Sequence, residues 1–351
     1  MDLKKIFLKD ACPTSVGGQA VIEGIMMNGP KARSLAIRLP NNEIHMKTEL
    51  KKKPSKWMKW PIIRGVVAFV LSLIDGMQTL MYAADVLEAY DGPGMEQYEE
   101  EKKSKFETWV ENKFGERAVW NLMLAMSVII AVLVTVGVFI IGPTLLVDLL
   151  KGFVDNVFVL NLIEGIVRII LFVLYIYFVA KLEDIKRVFQ FHGAEHKCIH
   201  CFENGLDLTP ENCQKFYTLH PRCGTSFLMF VMIISLVLFS FMGWPNMVLR
   251  ITSRLLLIPV IAGLSYELLK WAGRSDNWLV KILSMPGLYL QKITTKEPDN
   301  DQLEVAIAAM KAVLRDEPQL GEGICDINGR IIRENEFISS RSSKDGGNPA
   351  Q

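Results

Sequence analysis

Little in this sequence points toward charge-driven or disulfide-stapled chemistry. Lys and Arg together number 39 and Asp and Glu 38, a formal net charge of +1, so bulk charge names no partner and nucleic acid is not expected. Cysteine is sparse for 351 residues: six, at 12, 198, 201, 213, 223 and 325, with three of them crowded near histidines. That scatter suits free thiols or metal ligands rather than a disulfide framework. The opening MDLKKIFLKDACPTS has lysines but lacks an apolar run long enough for a secretory signal, so no cleaved peptide is expected. Histidine is rarer still, with five in all.

Apolar residues, by contrast, make up half of the chain and gather into a few long blocks, the pattern of a polytopic membrane protein. The lipid bilayer is therefore the first expected partner. Four segments, at about 120–149, 157–180, 226–244 and 247–271, are long enough to cross roughly 30 Å of hydrocarbon at about 1.5 Å per residue. The stretch 181–225 carries Lys181, Lys186, Arg187, Lys197, Lys215 and Arg222, whereas the two short loops VDLLKGFVDN and GWPN carry little positive charge. The positive-inside rule then puts the long loop and both termini in the cytoplasm. Arg250 and Arg254, near the outer end of the last span, argue mildly the other way.

A fifth apolar stretch, 61–85, is interrupted by Arg64, Asp75, Gln78 and Asp85, leaving only about ten uninterrupted apolar residues where a span needs roughly 17. It reads as an interfacial or re-entrant helix over 61–87, anchored by the preceding KKKPSKWMKW. Around the spans lie soluble pieces. SLAIRLPNNEIHMKTEL, in the N-terminal segment 1–60, alternates on either side of Pro-Asn-Asn as a hairpin does, and ICDINGRIIR, in the C-terminal segment 276–337, repeats the idea at Asn328 and Gly329. The two hairpins are expected to share one small sheet. EPDNDQLEVAIAAMKAVLRDEP has acidic caps and apolar residues at 303, 306, 307, 310 and 314, an amphipathic helix that needs a surface to cover. Residues 88–118 form a charged linker, and the polar tail 338–351 should be disordered. The expected fold is mainly α: a bundle of about four transmembrane helices over 119–275, with a small α+β cytoplasmic lobe.

The chemistry concentrates in FHGAEHKCIH, residues 191–200. On a helix continuing the second span, His192 and His196 share one face and can hold one divalent ion. His192, Glu195 and His196 also fit H-x-x-E-H, in which two histidines bind zinc and the glutamate serves as base for a bound water. TLHPRCGTS adds His220 and Cys223 at H-x-x-C spacing, with Pro221 and Gly224 suited to a tight turn. Zinc accepts imidazole and thiolate together, so His192, His196, His220 and Cys223 are the preferred ligands and Glu195 the candidate base. Cys198 with Cys201, His200, Glu203 and Glu267 compete for the same roles. Four protein ligands would close a structural tetrahedron. If Cys223 or His220 stays off the metal, the site is open and suits hydrolysis. Within the spans, Glu164 and Arg168 are spaced to pair along a helix face, and Lys270 is the charged neighbour within reach of Glu267.

GGQAVIEGIMMNGP, FHGAEHK, LHPRCGTSF and PGLYLQKITTKEPDNDQLEVAIAAM, in that order, resemble the YqhQ-like bacterial membrane proteins, a family of unknown function usually described as predicted metal-dependent enzymes. The likeness runs from Gly17 to about Leu314. It implies an integral protein of the bacterial cytoplasmic membrane, with family positions at His192, Gly193, Glu195, His196, His220, Pro221, Cys223 and Gly224. Cys198 and Cys201 stand outside that pattern. Two functional expectations follow: a zinc-dependent hydrolase, or a non-enzymatic partner of membrane-protein export or quality-control machinery with a structural metal.

Overall fold

A computed structural model describes residues 6, 12, 14–51, 60, 63–91, 116–243, 246–272 and 277–333. Most of the basic run at 51–60, most of the charged linker and the tail from 338 lie outside the described residues. The chain forms two compact units, one from residues 1–90, 175–231 and 259–351, the other from 91–174 and 232–258.

The first unit is organised by a six-stranded antiparallel sheet in simple sequential order. Its strands are β1 (Gly17–Val21), β2 (Gly24–Asn28), β3 (Ala32–Arg38), β4 (Ile44–Leu50), β5 (Gly321–Cys325) and β6 (Ile331–Arg333). β3 and β4 pair from Ala32 opposite Leu50 to Arg38 opposite Ile44, and Asn42 takes a positive φ in their turn, which asparagine tolerates. β4 then pairs with β5, so hairpins from the two ends of the lobe do share one sheet. Alternate residues serve two cores. Ile25, Met27, Ala36, Ile44 and Met46 face one side with Leu303, Ile307 and Met310 of the helix Asn300–Leu314. Met26, Leu35, Ile37 and Ile324 face the other with Ala83 and Val86. The helix 300–314 starts from a capping box between Asp299 and Gln302. Its apolar stripe is met within the chain, so it needs no external surface.

Ala83 and Val86 belong to α1 (Ile63–Asp91), a single helix of 29 residues where the sequence reads as broken. Arg64 and Asp75 do not interrupt it because both find partners. Arg64 forms a two-pronged ion pair with Glu267, and Asp75 lies 3.5 Å from Arg33 on β3. Glu267 thus pairs with a residue some 200 positions away in the sequence. The opposite side of α1 exposes Val70, Leu73, Ile74, Met77 and Leu80.

His45 on β4 is fully buried, with Nε2 2.9 Å from the Tyr82 hydroxyl, which in turn donates to Glu322 at 2.6 Å. Burial pushes its pKa down to about 4, with Glu322 opposing and Lys47 reinforcing the shift. The unfolded chain takes up that proton near pH 6.5, so the group's contribution is complete above that pH and is lost as pH falls from 6.5 toward 4. The full effect is about 3 kcal/mol. Denaturant midpoints at pH 7 and pH 4.5 should therefore differ more for the unaltered chain than for His45→Gln; equal differences would refute this role.

The second unit contains α2 (Glu116–Val136), which passes through a π turn at Gly137–Ile141 into α3 (Gly142–Asp148). It also holds most of α4 (Val157–Val179). Among the described residues four helices are long and apolar enough to cross a membrane: 63–90, 125–152, 157–179 and 248–272. The number matches the sequence expectation but the membership differs. The helix Thr225–Ser240 has 16 residues, about 24 Å, and is shorter than these four, while 63–90 qualifies by length and composition. Ile129, Val132, Leu133 and Phe153 are exposed in the second unit, an apolar surface compatible with membrane association.

Glu164 and Arg168 pair at 3.1 Å, as their spacing suggested, but the carboxylate is shared. Arg254 grips both its oxygens, Thr144 donates to it at 2.8 Å, and the Phe239 ring lies 5.3 and 5.5 Å from the two guanidinium carbons. Arg168 also donates to the carbonyl of Phe139 within the π turn.

Candidate metal centre

The histidine segment does not continue α4. The chain breaks at 180–182, where Leu182 is extended, and restarts as α5 (Glu183–Glu203) with Glu183 and Asp184 in its first turn. α5 then passes between the sheet and the segment 294–297, whose Lys296 N–H donates to the carbonyl of Phe189. That crossing explains Gly193: an added Cβ would overlap the carbonyl oxygen of Lys296. His192, His196 and His200 follow one face of α5. The loop after α6 (Pro210–Gln214) brings His220 and Cys223 opposite them, just before α7 (Thr225–Ser240).

The imidazoles are oriented by backbone carbonyls. Nδ1–H of His192 donates to Thr294 at 2.8 Å, and Nδ1–H of His196 donates to Thr218 at 2.5 Å, leaving the Nε2 lone pair of each ring free to bind an ion. His192 Nε2 is 3.2 Å from the sulfur of Cys223, which also receives the Thr225 N–H at 3.4 Å. Ligand atoms of His192, His196 and Cys223 all lie within 4.8 Å of one another, room for one ion.

His220 does not complete this set. It gathers instead with His200 and Glu203, likewise within 4.8 Å. The sequence placed His220 with Cys223 because they stand only three positions apart, but the turn between them sends the two side chains to different neighbours. Cys198 and Cys201 join the hydrophobic core and belong to neither group, and Glu267 is committed to Arg64.

Glu195 is buried beside the first group. Its Oε1 accepts the Gly18 N–H at 2.6 Å, and a side chain at position 18 would press on the Met26 carbonyl and on the Glu195 carboxyl group. Burial pushes the Glu195 pKa up, opposed by the neighbouring His192 and by that hydrogen bond. A cavity of about 620 Å³ is lined by Gly18, Glu195, His196, His220 and Cys223. An ion with three protein ligands here would keep a position open for water, with a carboxyl group nearby to accept a proton.

Supports that single residues in the sequence did not reveal hold the frame. Gln291 Oε1 accepts from the His220 N–H at 2.8 Å while its Nε2 donates to the His220 carbonyl at 2.9 Å, clamping the loop from a fully buried position. Gln291 and Thr294 both lie in PGLYLQKITTKEPDN, and Gly18 in GGQAVIEG, so the only sequence signal for them was membership of those motifs.

The family described as a protein of unknown function (DUF1385) matches residues 60–316, most of the chain and every candidate ligand of this centre. The chain belongs to that family. Among the curated members, the uncharacterized protein YqhQ of Bacillus subtilis (strain 168) is 36% identical over 315 residues, covering 88% of this chain and 94% of the relative. No solved structure matches. These DUF1385 relatives carry no stated activity, so any reaction must be argued from the residues themselves.

Proposed function

We propose that this protein is a metal-dependent hydrolase of the bacterial cytoplasmic membrane, with zinc held by His192, His196 and Cys223 and Glu195 acting as general base. One observation carries the reading: the three ligand atoms form a set without His220, beside a cavity that Glu195 also lines. A closed four-ligand set would favour a structural ion, whereas three ligands and a neighbouring carboxyl group favour an activated water. Two imidazoles and a thiolate suit zinc, and iron or cobalt could occupy the same donors. A peptide bond near the membrane is the substrate suggested by the H-x-x-E-H arrangement, an analogy of chemistry only. The lobe faces the cytoplasm in this reading. The half of α1 packed on the sheet stays out of the hydrocarbon, because a sheet's edge groups cannot be satisfied there, and its exposed stripe lies along the interface.

A second reading, a non-enzymatic partner of membrane-protein export or quality-control machinery, draws on that same exposed stripe. It requires only a structural ion.

Metal analysis of the detergent-purified chain, prepared without chelators, tests the first reading. The unaltered chain should retain a tightly held zinc that His196→Ala and Cys223→Ala both lose. Zinc content equal in all three proteins, or none in the unaltered chain, would discard the centre and move the partner reading to first place.

A further inference from the structure

We propose that His200, Glu203 and His220 form a second metal site, so that the cavity is served by two ions rather than one. All three side chains are more than nine-tenths buried, and their ligand atoms lie within 4.8 Å of one another. The site is set apart by His220. Its Nε2 is buried, has no hydrogen-bond partner, and stands 3.5 Å from Glu203 Oε2, too far for a good hydrogen bond. A buried polar atom left unpaired is costly, and an ion between the ring and the carboxylate would satisfy it.

The other donors are prepared in the same way as those of the first group. Nε2–H of His200 donates to the Leu219 carbonyl at 2.9 Å, leaving Nδ1 free to bind. Glu203 accepts the Thr14 N–H at 2.9 Å through Oε1 and an ion pair from Arg222 through Oε2, and each oxygen keeps a second lone pair. Binding at His220 Nε2 moves its proton to Nδ1 and gives up the long 3.3 Å contact from the Arg222 N–H. The positive charge of Arg222 also makes this the weaker of the two sites. Its donors are nitrogen and oxygen without sulfur, a set that accepts zinc, cobalt, iron or manganese.

The two groups adjoin. The His196 and His220 rings are 5.6 Å apart, and both residues line the cavity with Glu195. A pair of ions there would clamp the attacking and leaving oxygens of one substrate, the arrangement used for displacement at phosphoryl or acyl centres. That role rests on the hydrolase reading; the existence of the site does not.

Cobalt(II) separates the sites, because only the first has a thiolate and only it gives a sulfur-to-metal charge-transfer band in the near ultraviolet. Titrating the metal-free full-length protein in detergent should show two equivalents. The first brings that band and the second brings only weak visible absorption. Glu203→Gln and His200→Ala should keep the first equivalent, which also reports that they are folded, and lose the second. Cys223→Ala should lose the band and keep the second. A single equivalent with the band, unchanged in Glu203→Gln and His200→Ala, would overturn the second site and leave the first standing. A single equivalent without the band, lost in Glu203→Gln, would support the second site and overturn the first. Absence of any bound cobalt would overturn both.

Discussion

Glu195→Gln is expected to leave the zinc of the first group in place and to lower hydrolysis by roughly 10²- to 10⁴-fold, the usual contribution of a positioned general base. Glutamine keeps the shape and can still accept the Gly18 N–H through its amide oxygen, so the cradle that holds residue 195 is preserved. What it loses is the capacity to take a proton from a metal-bound water. Because burial raises the Glu195 pKa, the native group is the more basic for being enclosed. Turnover of nitrophenyl ester, anilide and phosphodiester probes, measured beside zinc content, reads both halves of the expectation. Undiminished turnover with zinc retained would remove Glu195 from the chemistry.

Glu164→Gln should destabilise the second unit by about 3–5 kcal/mol, because it breaks a buried ion pair from one side. Arg168 and Arg254 both depend on that carboxylate, and both are more than nine-tenths buried. Their remaining contacts, to Phe139, Asn161, Thr144 and the Phe239 ring, carry no negative charge. Removing one cation as well should restore part of the loss, so Glu164→Gln with Arg254→Met is expected to lie above the single variant. Unfolding in mixed micelles followed by tryptophan fluorescence measures both. A single-variant loss below about 1 kcal/mol would mean that the carboxylate is not the hub of this cluster.

How much of this was legible beforehand follows from where each residue's partners lie. The helix 300–314 showed itself because one stripe is apolar, and that stripe is the face that packs. The hairpin at β3 and β4 showed itself through its turn. β1 and β2 did not: Ile25, Met26 and Met27 are all buried because helices cover both faces of the sheet, which erases the alternation that marks a strand. α1 was read as interrupted because Glu267 and Arg33, the partners of Arg64 and Asp75, are remote in sequence. The histidines and Cys223 were legible as ligand types. Their division into two groups was not, since spacing in a turn does not fix the direction in which side chains leave it.

The pairing of β4 with β5 has a consequence for how the protein is made. Leu50 leaves the ribosome long before Gly321, and the whole second unit is synthesised in between. Throughout that interval one margin of β4 is a bare template, open to pairing with any extended chain nearby. The last strands therefore act as a closing clasp, and delay in their arrival leaves the newborn lobe exposed to aggregation.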